Sequence, residues 1–292
     1  MKELYGAGVA LVTPFHLDGT IDFDGLGNLI DHQINGGIDY LVSLGTTGEV
    51  ATLTEAERKA VFRFTLEKVN GRVPLIAGIG GNNTAEVVHQ LATFDLVGYT
   101  AVLSVSPYYS KPNQEGIYRH YKAVAAASPL PVILYNVPGR TGSNISPEIT
   151  VRLARETSNI IATKEASGSF EQFSKIMRDK PEAFLLISGD DPTTLPMMAL
   201  GAVGVISVVG NAFPAEVAKL TDLCLNGDYA TARQIHNRLL RMTELCFAEG
   251  NPAGVKAILQ RMGVCTATVR LPLVEASEAL LTSIDHELAE IR

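Results

Sequence analysis

Cysteine is scarce in this 292-residue sequence, which also lacks long apolar runs and basic clusters. The 3 cysteines, Cys224, Cys246 and Cys265, are odd in number and far apart, which argues against a disulfide framework or a zinc site and predicts reduced thiols. No segment approaches roughly 18 uninterrupted apolar residues, so we expect no membrane span. The apolar N-terminal stretch ends at Thr13-Pro14 without a cleavage-site pattern, which favours a first strand and a cytoplasmic protein.

The charge balance is acidic, because 24 Lys and Arg against 31 Asp and Glu give a net charge of −7. With no basic run, nucleic acids and anionic membranes are not expected as partners. A hydrophobic fraction of 46% with 19% charged residues is ordinary for a globular chain with a large core. The length allows two domains, or a single α/β barrel with an appendage.

Eight short apolar runs recur along the chain, each followed by a turn and an amphipathic segment. They are rich in Val, Ile, Leu and Ala with little polar alternation, which is typical of buried parallel strands. Helix start signals lie between them, such as the capping box Thr54–Glu57 and the proline that follows Ser146. The eight runs are Ala7–Thr13, Tyr40–Gly45, Leu75–Gly80, Thr100–Ser106, Val132–Val137, Ile160–Ala166, Phe184–Gly189 and Gly204–Val209.

The number and spacing of these units predict a (β/α)8 TIM barrel over residues 1–226. A doubly wound open sheet is the alternative, although such sheets seldom use eight consecutive, evenly spaced units. Residues 227–292 contain no strand-like run and form the predicted C-terminal helical region. About three helices are expected there: Tyr229–Phe247, Pro252–Met262 and Glu275–Ile291.

One lysine stands out among the ten of the sequence, because it alone lies within a predicted buried strand. Strand periodicity places Ile160, Ala162 and Lys164 on one face and Glu165 on the other. An ammonium in apolar surroundings loses hydration, which favours the neutral amine, a nucleophile toward carbonyl groups. Lys164 also lies at the C-terminal end of its strand, where barrels place their active sites. The alternative is a buried lysine–carboxylate pair that holds the barrel together.

Other polar side chains follow the ends of neighbouring predicted strands. Tyr135 suits proton exchange with an adduct on Lys164, the alternative being a core tyrosine with a satisfied hydroxyl. Arg140 follows a Pro-Gly turn, where its guanidinium suits a substrate carboxylate, unless it is an ordinary surface arginine. Thr46 and Thr47 offer hydroxyls and backbone N–H groups to a carboxylate or a proton relay, or else form a capped turn.

Several patterns do not support the chemistry that they suggest. Residues 78–83 lack the third glycine of a dinucleotide fingerprint, so a helix-capping turn is the better interpretation. Asp190-Asp191 precedes Pro192, which favours a helix N-cap over a metal site. The six histidines lack ligand spacing, so no metal is predicted. The ends of strands seven and eight carry no Arg or Lys, which argues against a phosphorylated substrate.

Three segments together carry a family resemblance: Gly45-Thr-Thr-Gly-Glu49, Tyr135-Asn-Val-Pro-Gly-Arg-Thr-Gly142 and Thr163-Lys-Glu165. The chain resembles the dihydrodipicolinate synthase / N-acetylneuraminate lyase family over essentially its whole length. One departure is Asn251-Pro-Ala-Gly-Val-Lys256, where the family commonly has Asn-Pro-Ile-Pro-Val-Lys. A second is Tyr109-Ser-Lys-Pro112, where Tyr-Asn-Arg/Lys-Pro is common.

The resemblance implies a lyase of lysine (diaminopimelate) biosynthesis that condenses pyruvate with L-aspartate 4-semialdehyde to 4-hydroxy-tetrahydrodipicolinate. Lys164 would form a Schiff base with pyruvate, so no cofactor is expected. Arg140 would bind the carboxylate of the semialdehyde. The family also implies a homotetramer, built as a dimer of dimers.

The same resemblance implies a proton relay of Thr46, Tyr135 and Tyr109, with Tyr109 reaching the active site of the neighbouring subunit. From the sequence alone, Tyr108-Tyr109 is an aromatic lid or simply packing. The backbone expected to surround pyruvate is that of Thr46, Thr47, Gly189 and Ile206.

Two other functions remain open. The first is a sugar-acid lyase of the same family, acting on N-acetylneuraminate or a 2-keto-3-deoxy acid. Arg140 argues against it, because sialic acid lyases generally lack an arginine there. The second is a non-catalytic ligand-binding barrel. The set of Lys164, Tyr135 and Thr46 argues against that, since a pure binder needs no buried nucleophile.

Lysine-sensitive members of the family bind L-lysine at the dimer interface, which by resemblance points to Asn82, Glu86 and Tyr108. This chain has Glu55 and Arg58 at positions where those members commonly carry histidines. Arg58 is a permanent cation that repels the ammonium of an effector, while Glu55 offsets this repulsion or pairs with Arg58. Weak or absent inhibition by L-lysine is therefore predicted, unless both residues are solvated charges without regulatory meaning.

Overall fold

The computed structural model describes residues 2–291 and is built on a closed sheet of parallel strands. Each strand pairs with the next along the chain, and the last pairs with the first, which confirms the predicted barrel over the open sheet. Seven of the eight predicted apolar runs contain one strand each, and the first strand begins one residue before its predicted run, at Gly6. The strands are β1 (Gly6–Ala10), β2 (Tyr40–Ser43), β3 (Leu75–Gly78), β4 (Ala101–Val105), β5 (Val132–Asn136), β6 (Ile160–Glu165), β7 (Leu185–Ser188) and β8 (Gly204–Ser207).

Helices follow the strands and cover the outside of the barrel. Those within the barrel units are α1 (Phe23–Asn35), α2 (Glu55–Val69), α3 (Thr84–Thr93), α4 (Gln114–Ala127), α5 (Pro138–Thr141), α6 (Pro147–Glu156), α7 (Phe170–Asp179), α8 (Thr194–Ala199) and α9 (Pro214–Leu225). The C-terminal helices are α10 (Tyr229–Phe247), α11 (Ala253–Arg261) and α12 (Glu278–Ile291). Short 3-10 turns cover Lys2–Leu4, Thr46–Gly48, Val50–Thr52, Asp191–Thr193 and Val209–Asn211.

The helix start signals of the sequence are confirmed. The Thr54 hydroxyl accepts a hydrogen bond from the Glu57 N–H at 3.2 Å, and the Glu57 carboxylate accepts one from the Thr54 N–H at 2.8 Å. This reciprocal capping box satisfies donors that the first turn of α2 would otherwise leave unpaired. Ser146 caps α6 by accepting the Ile149 N–H at 3.3 Å, and a proline opens that helix.

The first and last strands approach each other closely where the barrel closes. A Cβ atom at Gly204 would lie 1.9 Å from the carbonyl oxygen of Gly6, so only glycine fits in β8 at this point. The inward-facing residues form one apolar cluster that fills the barrel. Its strand residues are Ala10, Tyr40, Val42, Ile76, Ala101, Leu103, Ile133, Tyr135, Ala162, Leu185, Ile187 and Ile206.

The predicted assignment of β6 side chains to the two faces of the strand is wrong for Ile160. Val132 of β5 pairs with Ile160, but the next residue, Ile133, pairs with Ala162, so the register shifts by one. The bulge places Ile160 in the outer core between barrel and helices, while Ala162 lies in the interior cluster. Lys164 therefore shares its face with Ala162 and not with Ile160.

The C-terminal region consists of three consecutive helices, α10 to α12, as predicted, although α12 begins three residues later than expected. Helix α10 packs against α9 and against both α11 and α12. A Cβ atom at Gly254 would lie 2.3 Å from the Leu245 carbonyl oxygen, so the departure from the family pattern allows α11 to approach α10 closely. The division into units of 1–226 and 227–292 stays a prediction. Across residues 2–291, no helix has the length and apolarity needed to cross a membrane.

Candidate active site

Lys164 lies near the C-terminal end of β6 and is only 4% exposed. It is paired in register with Tyr135 of β5, and its Nζ lies 4.2 Å from the centre of the Tyr135 ring. Within residues 2–291, no carboxylate oxygen lies within 4.0 Å of this Nζ. The structure therefore contradicts the alternative in which Lys164 forms a buried ion pair with a carboxylate. The amine instead faces an aromatic ring and the barrel interior.

Two other predicted site residues lie next to this amine or its ring. A Cβ atom at Gly189 would lie 3.0 Å from Cε and Cγ of Lys164, so the glycine at the end of β7 makes room for the lysine stem. Ile206 of β8 is buried in the same interior cluster as Tyr135. The Tyr135 hydroxyl has no hydrogen-bond partner within the described chain, which contradicts a core tyrosine with a satisfied hydroxyl and leaves this hydroxyl available to a ligand.

The Thr46-Thr47 segment forms the 3-10 turn that follows β2. The buried Thr47 hydroxyl accepts a hydrogen bond from Nδ2 of Asn251 at 2.9 Å, and the Gly48 carbonyl accepts one from the Thr13 hydroxyl at 2.7 Å. Glu49 closes the turn with a φ of 52°, in the left-handed region that most side chains avoid. The turn is thus held in place by the segment that follows β1 and by the C-terminal region, and Thr46 lines the open cleft beside it.

Glu49 and Lys256 form a buried ion pair that the sequence did not predict. Both side chains are fully buried, and Nζ of Lys256 donates to the Glu49 carboxylate at 2.5 Å and to the Thr268 carbonyl at 2.7 Å. Burial lowers the pKa of Lys256, and the carboxylate of Glu49 opposes this shift. The available signal was the single charged residue in the apolar start of α11, Ala253-Gly-Val-Lys-Ala-Ile-Leu259.

An open cleft of about 760 Å³ lies at the C-terminal ends of the strands. Thr46, Arg140 and Asn251 line it, whereas a smaller pocket of about 50 Å³ beside it reaches Tyr135. Within residues 2–291, the exposed Arg140 guanidinium has no hydrogen-bond or ion-pair partner. A hydroxyl, a guanidinium and an amide thus line one opening, and the adjoining pocket reaches Tyr135, whose ring lies beside the Lys164 amine. This arrangement suits a small carboxylate-bearing ligand.

Tyr108 and Tyr109 separate in the structure. Tyr108 is 40% exposed and lines the cleft, but Tyr109 is 88% exposed, has a φ of 72° and does not line it. A single chain therefore does not bring Tyr109 to Lys164.

The residues proposed for an effector site are only partly brought together. Arg58, Glu86 and Tyr108 line the cleft, whereas Asn82 and Glu55 do not. Glu86 accepts a hydrogen bond from Gln90 at 2.9 Å. The alternative in which Glu55 pairs with Arg58 is wrong. The Glu55 carboxylate instead lies 2.6 Å from Nζ of Lys59, one helical turn further on, and the Arg58 Nε donates to a backbone carbonyl.

Asp190 occupies the N-cap position of the 3-10 turn Asp191–Thr193, as predicted, but its side chain makes no capping hydrogen bond. The Asp191 carboxylate instead accepts the N–H groups of Val208 and Val209 at 2.9 and 3.1 Å, and so ties the end of β7 to the end of β8. Burial raises the pKa of Asp191, and these hydrogen bonds oppose the shift. In the described residues, no group of three or more His, Cys, Asp or Glu side chains could hold a metal ion.

A closed parallel barrel with a buried amine that has no carboxylate partner among residues 2–291 defines a class of proteins suited to carbonyl chemistry. The comparison with known proteins makes this assignment specific. The chain belongs to the dihydrodipicolinate synthetase family, whose model matches residues 3–291.

The relatives cover nearly the whole chain. The 4-hydroxy-tetrahydrodipicolinate synthase of Parabacteroides distasonis is 54% identical over 93% of this chain and 92% of its own. The crystal structure of dihydrodipicolinate synthase from Aquifex aeolicus is 43% identical, with a TM-score of 0.95 over 98% of both chains. A structure of the chloride-inhibited enzyme from Acinetobacter baumannii, complexed with pyruvate, is 38% identical, with a TM-score of 0.95 over 99% of both chains.

Proposed function

We propose that this chain condenses pyruvate with L-aspartate 4-semialdehyde to 4-hydroxy-tetrahydrodipicolinate, a step of lysine (diaminopimelate) biosynthesis. The observation that carries the proposal is the amine of Lys164, which is buried beside Tyr135 at the active-site end of the barrel without a carboxylate partner in the described chain. The name of the Parabacteroides relative and the pyruvate complex of the Acinetobacter structure support it.

In the first step, the Lys164 nitrogen attacks the keto carbon of pyruvate. The keto oxygen leaves as water, and a carbon–nitrogen double bond forms. The backbone at Thr46, Thr47, Gly189 and Ile206 surrounds the bound pyruvate. No separate cofactor is required, because the lysine itself holds the substrate and accepts electron density from it.

In the second step, the pyruvate methyl group loses a proton and the adduct becomes an enamine. Its carbon attacks the aldehyde carbon of the second substrate, whose oxygen takes up a proton to become a hydroxyl. Thr46, Tyr135 and the partner subunit's Tyr109 carry these protons, and the free hydroxyl of Tyr135 lies on the residue next to the amine.

In the last step, the product's own amino group attacks the imine carbon. The ring closes, and the Lys164 nitrogen leaves as a free amine. Arg140 holds the carboxylate of the semialdehyde during these steps, since its exposed guanidinium lines the cleft.

Borohydride trapping tests the lysine directly. The protein is mixed with pyruvate and sodium borohydride, digested, and analysed by mass spectrometry. We expect one reduced adduct on Lys164, with the other buried lysine, Lys256, unmodified as an internal control. No adduct, or an adduct on a different lysine, would refute the mechanism.

A coupled assay tests the substrates. Pyruvate and aspartate semialdehyde are supplied together with a dihydrodipicolinate reductase, and NADPH consumption is followed. We expect NADPH-linked turnover here, and no consumption of pyruvate when N-acetylmannosamine replaces the semialdehyde. The opposite result would make the chain a sugar-acid lyase, and inactivity with both would favour a ligand-binding barrel.

Assembly as a homotetramer, a dimer of dimers, belongs to the same proposal. Tyr109 supports it, because its side chain is 88% exposed and outside the cleft of its own chain. Sedimentation velocity together with activity on dilution tests this. A fully active monomer would show that no partner tyrosine is needed.

Weak or absent inhibition by L-lysine is also proposed, together with a cytoplasmic location. Arg58 lines the cleft beside Glu86 and Tyr108, and its positive charge opposes a cationic effector there. Titration of L-lysine in the coupled assay tests this point. Strong inhibition at sub-millimolar lysine would contradict it.

A further inference from the structure

The carboxylate of Glu165 is buried directly behind the proposed catalytic lysine and has no role in the proposed mechanism. Glu165 follows Lys164 in β6 and points to the opposite side of the barrel wall, where its side chain is completely buried. It is paired in register with Asn136, just as Lys164 is paired with Tyr135. The two pairs are thus adjacent rungs of the same β5–β6 ladder.

The Glu165 carboxylate is held by neutral donors. Nδ2 of Asn136 donates to its two oxygens at 2.9 and 3.1 Å, Nε2 of Gln172 donates at 2.8 Å, and the Ser167 N–H donates at 2.9 Å. Its partners from β5, from the following loop and from α7 are all uncharged. Across residues 2–291, no ion pair includes Glu165.

The hydrogen bonds around Glu165 have a fixed direction. The Ile145 N–H donates to Oδ1 of Asn136 at 3.0 Å, so the amide of Asn136 must present its NH₂ group to the carboxylate. Because backbone N–H groups cannot reverse, Ile145 and Ser167 together require an acceptor at Glu165. A protonated Glu165 would place an O–H against the N–H donors of Asn136, Gln172 and Ser167.

The same network holds the loop that carries Arg140. Asn144 accepts from Nδ2 of Asn136 at 2.8 Å and donates to Oε1 of Gln172 at 2.8 Å. These contacts fix residues 142–146, which directly follow α5 and its Arg140. Three groups of the proposed reaction therefore depend on one carboxylate: Lys164 through its own strand, Tyr135 through β5, and Arg140 through this loop.

We infer that Glu165 is a positioning residue that works only as an anion, and that it fixes Lys164, Tyr135 and Arg140 relative to one another. This inference rests on the proposed function. Burial raises the pKa of Glu165, and the hydrogen bonds from Gln172 and Asn136 oppose the rise. The network should therefore fail on acidification at a higher pH than an ordinary glutamate would titrate.

The principal test is Glu165→Gln, measured by kcat, both KM values and the pH profile of the coupled assay. Either orientation of the new amide places its NH₂ group against a donor. We expect kcat to fall by about 10- to 100-fold, the scale of cost for slightly misplaced reacting groups. We also expect the acid limb of the wild-type profile to disappear, because the titrating group is gone. Unchanged activity, or a reduced activity with the wild-type acid limb, would overturn the inference.

Gln172→Met provides a second test that does not depend on the folding of the first variant. It leaves the carboxylate in place but removes one donor, so the anion is less stable and the acid limb should move to higher pH. Loss of folded protein alone cannot produce such a movement. If the limb of this variant stays at the wild-type pH, the inference is wrong.

Thr163→Val is the matched control. Thr163 lies on the same outer face of β6, is completely buried, and its hydroxyl has no partner within the described residues. The substitution is nearly isosteric, and we expect wild-type kcat and pH profile. Trapping of pyruvate by the wild-type protein separates the two proposals. Without an adduct on Lys164, the proposed function fails. If the adduct forms but Glu165→Gln keeps the wild-type kcat and pH profile, only the positioning role is refuted.

Discussion

Of the ten lysines in the chain, Lys164 and Lys256 are the two that the structure buries, and they have opposite surroundings. Lys256 has Glu49 and a backbone carbonyl within hydrogen-bond distance, and its amine lies 4.3 Å from the Phe15 ring centre. Lys164 has an aromatic ring at nearly the same distance, 4.2 Å, but no carboxylate partner among residues 2–291. A buried amine in an ion pair stabilises the fold, whereas a buried amine without a carboxylate partner can react with a carbonyl carbon.

Replacing each of the two lysines by methionine should separate the reactive role from the structural role most strongly. The first variant is Lys164→Met. We expect activity to fall by at least about 1,000-fold, because no imine can form without the amine. The melting temperature should stay the same or rise, since the substitution removes an unpaired buried amine. The coupled assay and a thermal melt measure the two effects. Appreciable turnover by this variant would place the chemistry elsewhere.

Lys256→Met should have the reverse profile, with stability as the main loss. Removing the lysine leaves Glu49 buried without a cation, which costs about 3–5 kcal/mol of unfolding free energy. The double variant Lys256→Met/Glu49→Gln should regain most of this loss, because no buried charge remains and the glutamine can still accept the Arg270 N–H. Urea unfolding at a fixed protein concentration measures both. Equal stability of the single and double variants would show that the pair is not coupled.

Tyr135→Phe tests the surroundings of Lys164 by keeping the aromatic ring and removing its hydroxyl. The ring beside Nζ is kept, so borohydride trapping of pyruvate on Lys164 should persist. Turnover should fall by about 100-fold, which is a typical contribution of a positioned proton donor. Loss of trapping as well would mean that the hydroxyl is needed to form the imine and not only for the later steps.

The smallest expected effect concerns the surroundings of the partnered lysine. Arg270 donates to the Glu57 carboxylate and holds the pKa of Glu57 at about 2, compared with an ordinary value of 4.5. A lowered folded-state pKa stabilises the protein above the ordinary value, and this contribution is lost as the pH falls from 4.5 toward 2. Arg270→Gln should therefore cost more stability at about pH 6 than at about pH 3, in urea unfolding at the two values. An equal loss of unfolding free energy at both pH values would show that Arg270 stabilises the fold by packing on Phe15.

Local patterns in the sequence were sufficient to predict the barrel and to single out Lys164 as a buried lysine at its active-site end. Parallel strands buried on both faces give continuous apolar runs, and a lysine inside such a run is conspicuous. The partnered lysine was missed because its partner is 207 residues away, and Asn251 was missed because Thr47 is 204 residues away. Contacts over such separations leave no periodic signal in the chain.

The register of β6 was missed for a related reason. Strand periodicity assumes that every residue advances the pairing by one, but the pairing with Val132 and Ile133 skips Ile161. The bulge depends on the neighbouring strand and not on β6 alone. The prediction for Lys164 survived because the skipped residue lies on its N-terminal side, so the alternation from Ala162 onward is regular.

Tyr40 closes the barrel at the end opposite the cleft. Its ring occupies the space above Gly8, where a Cβ atom would lie 2.2 Å from the ring, and its hydroxyl donates to the Val205 carbonyl at 3.2 Å. Leu4 adds to the same plug from the N-terminal turn. Under the proposed reaction, both reactants and the product must then pass through one entrance. Pyruvate occupies the deepest position and must arrive first, and no further pyruvate can reach the lysine until the ring product has left.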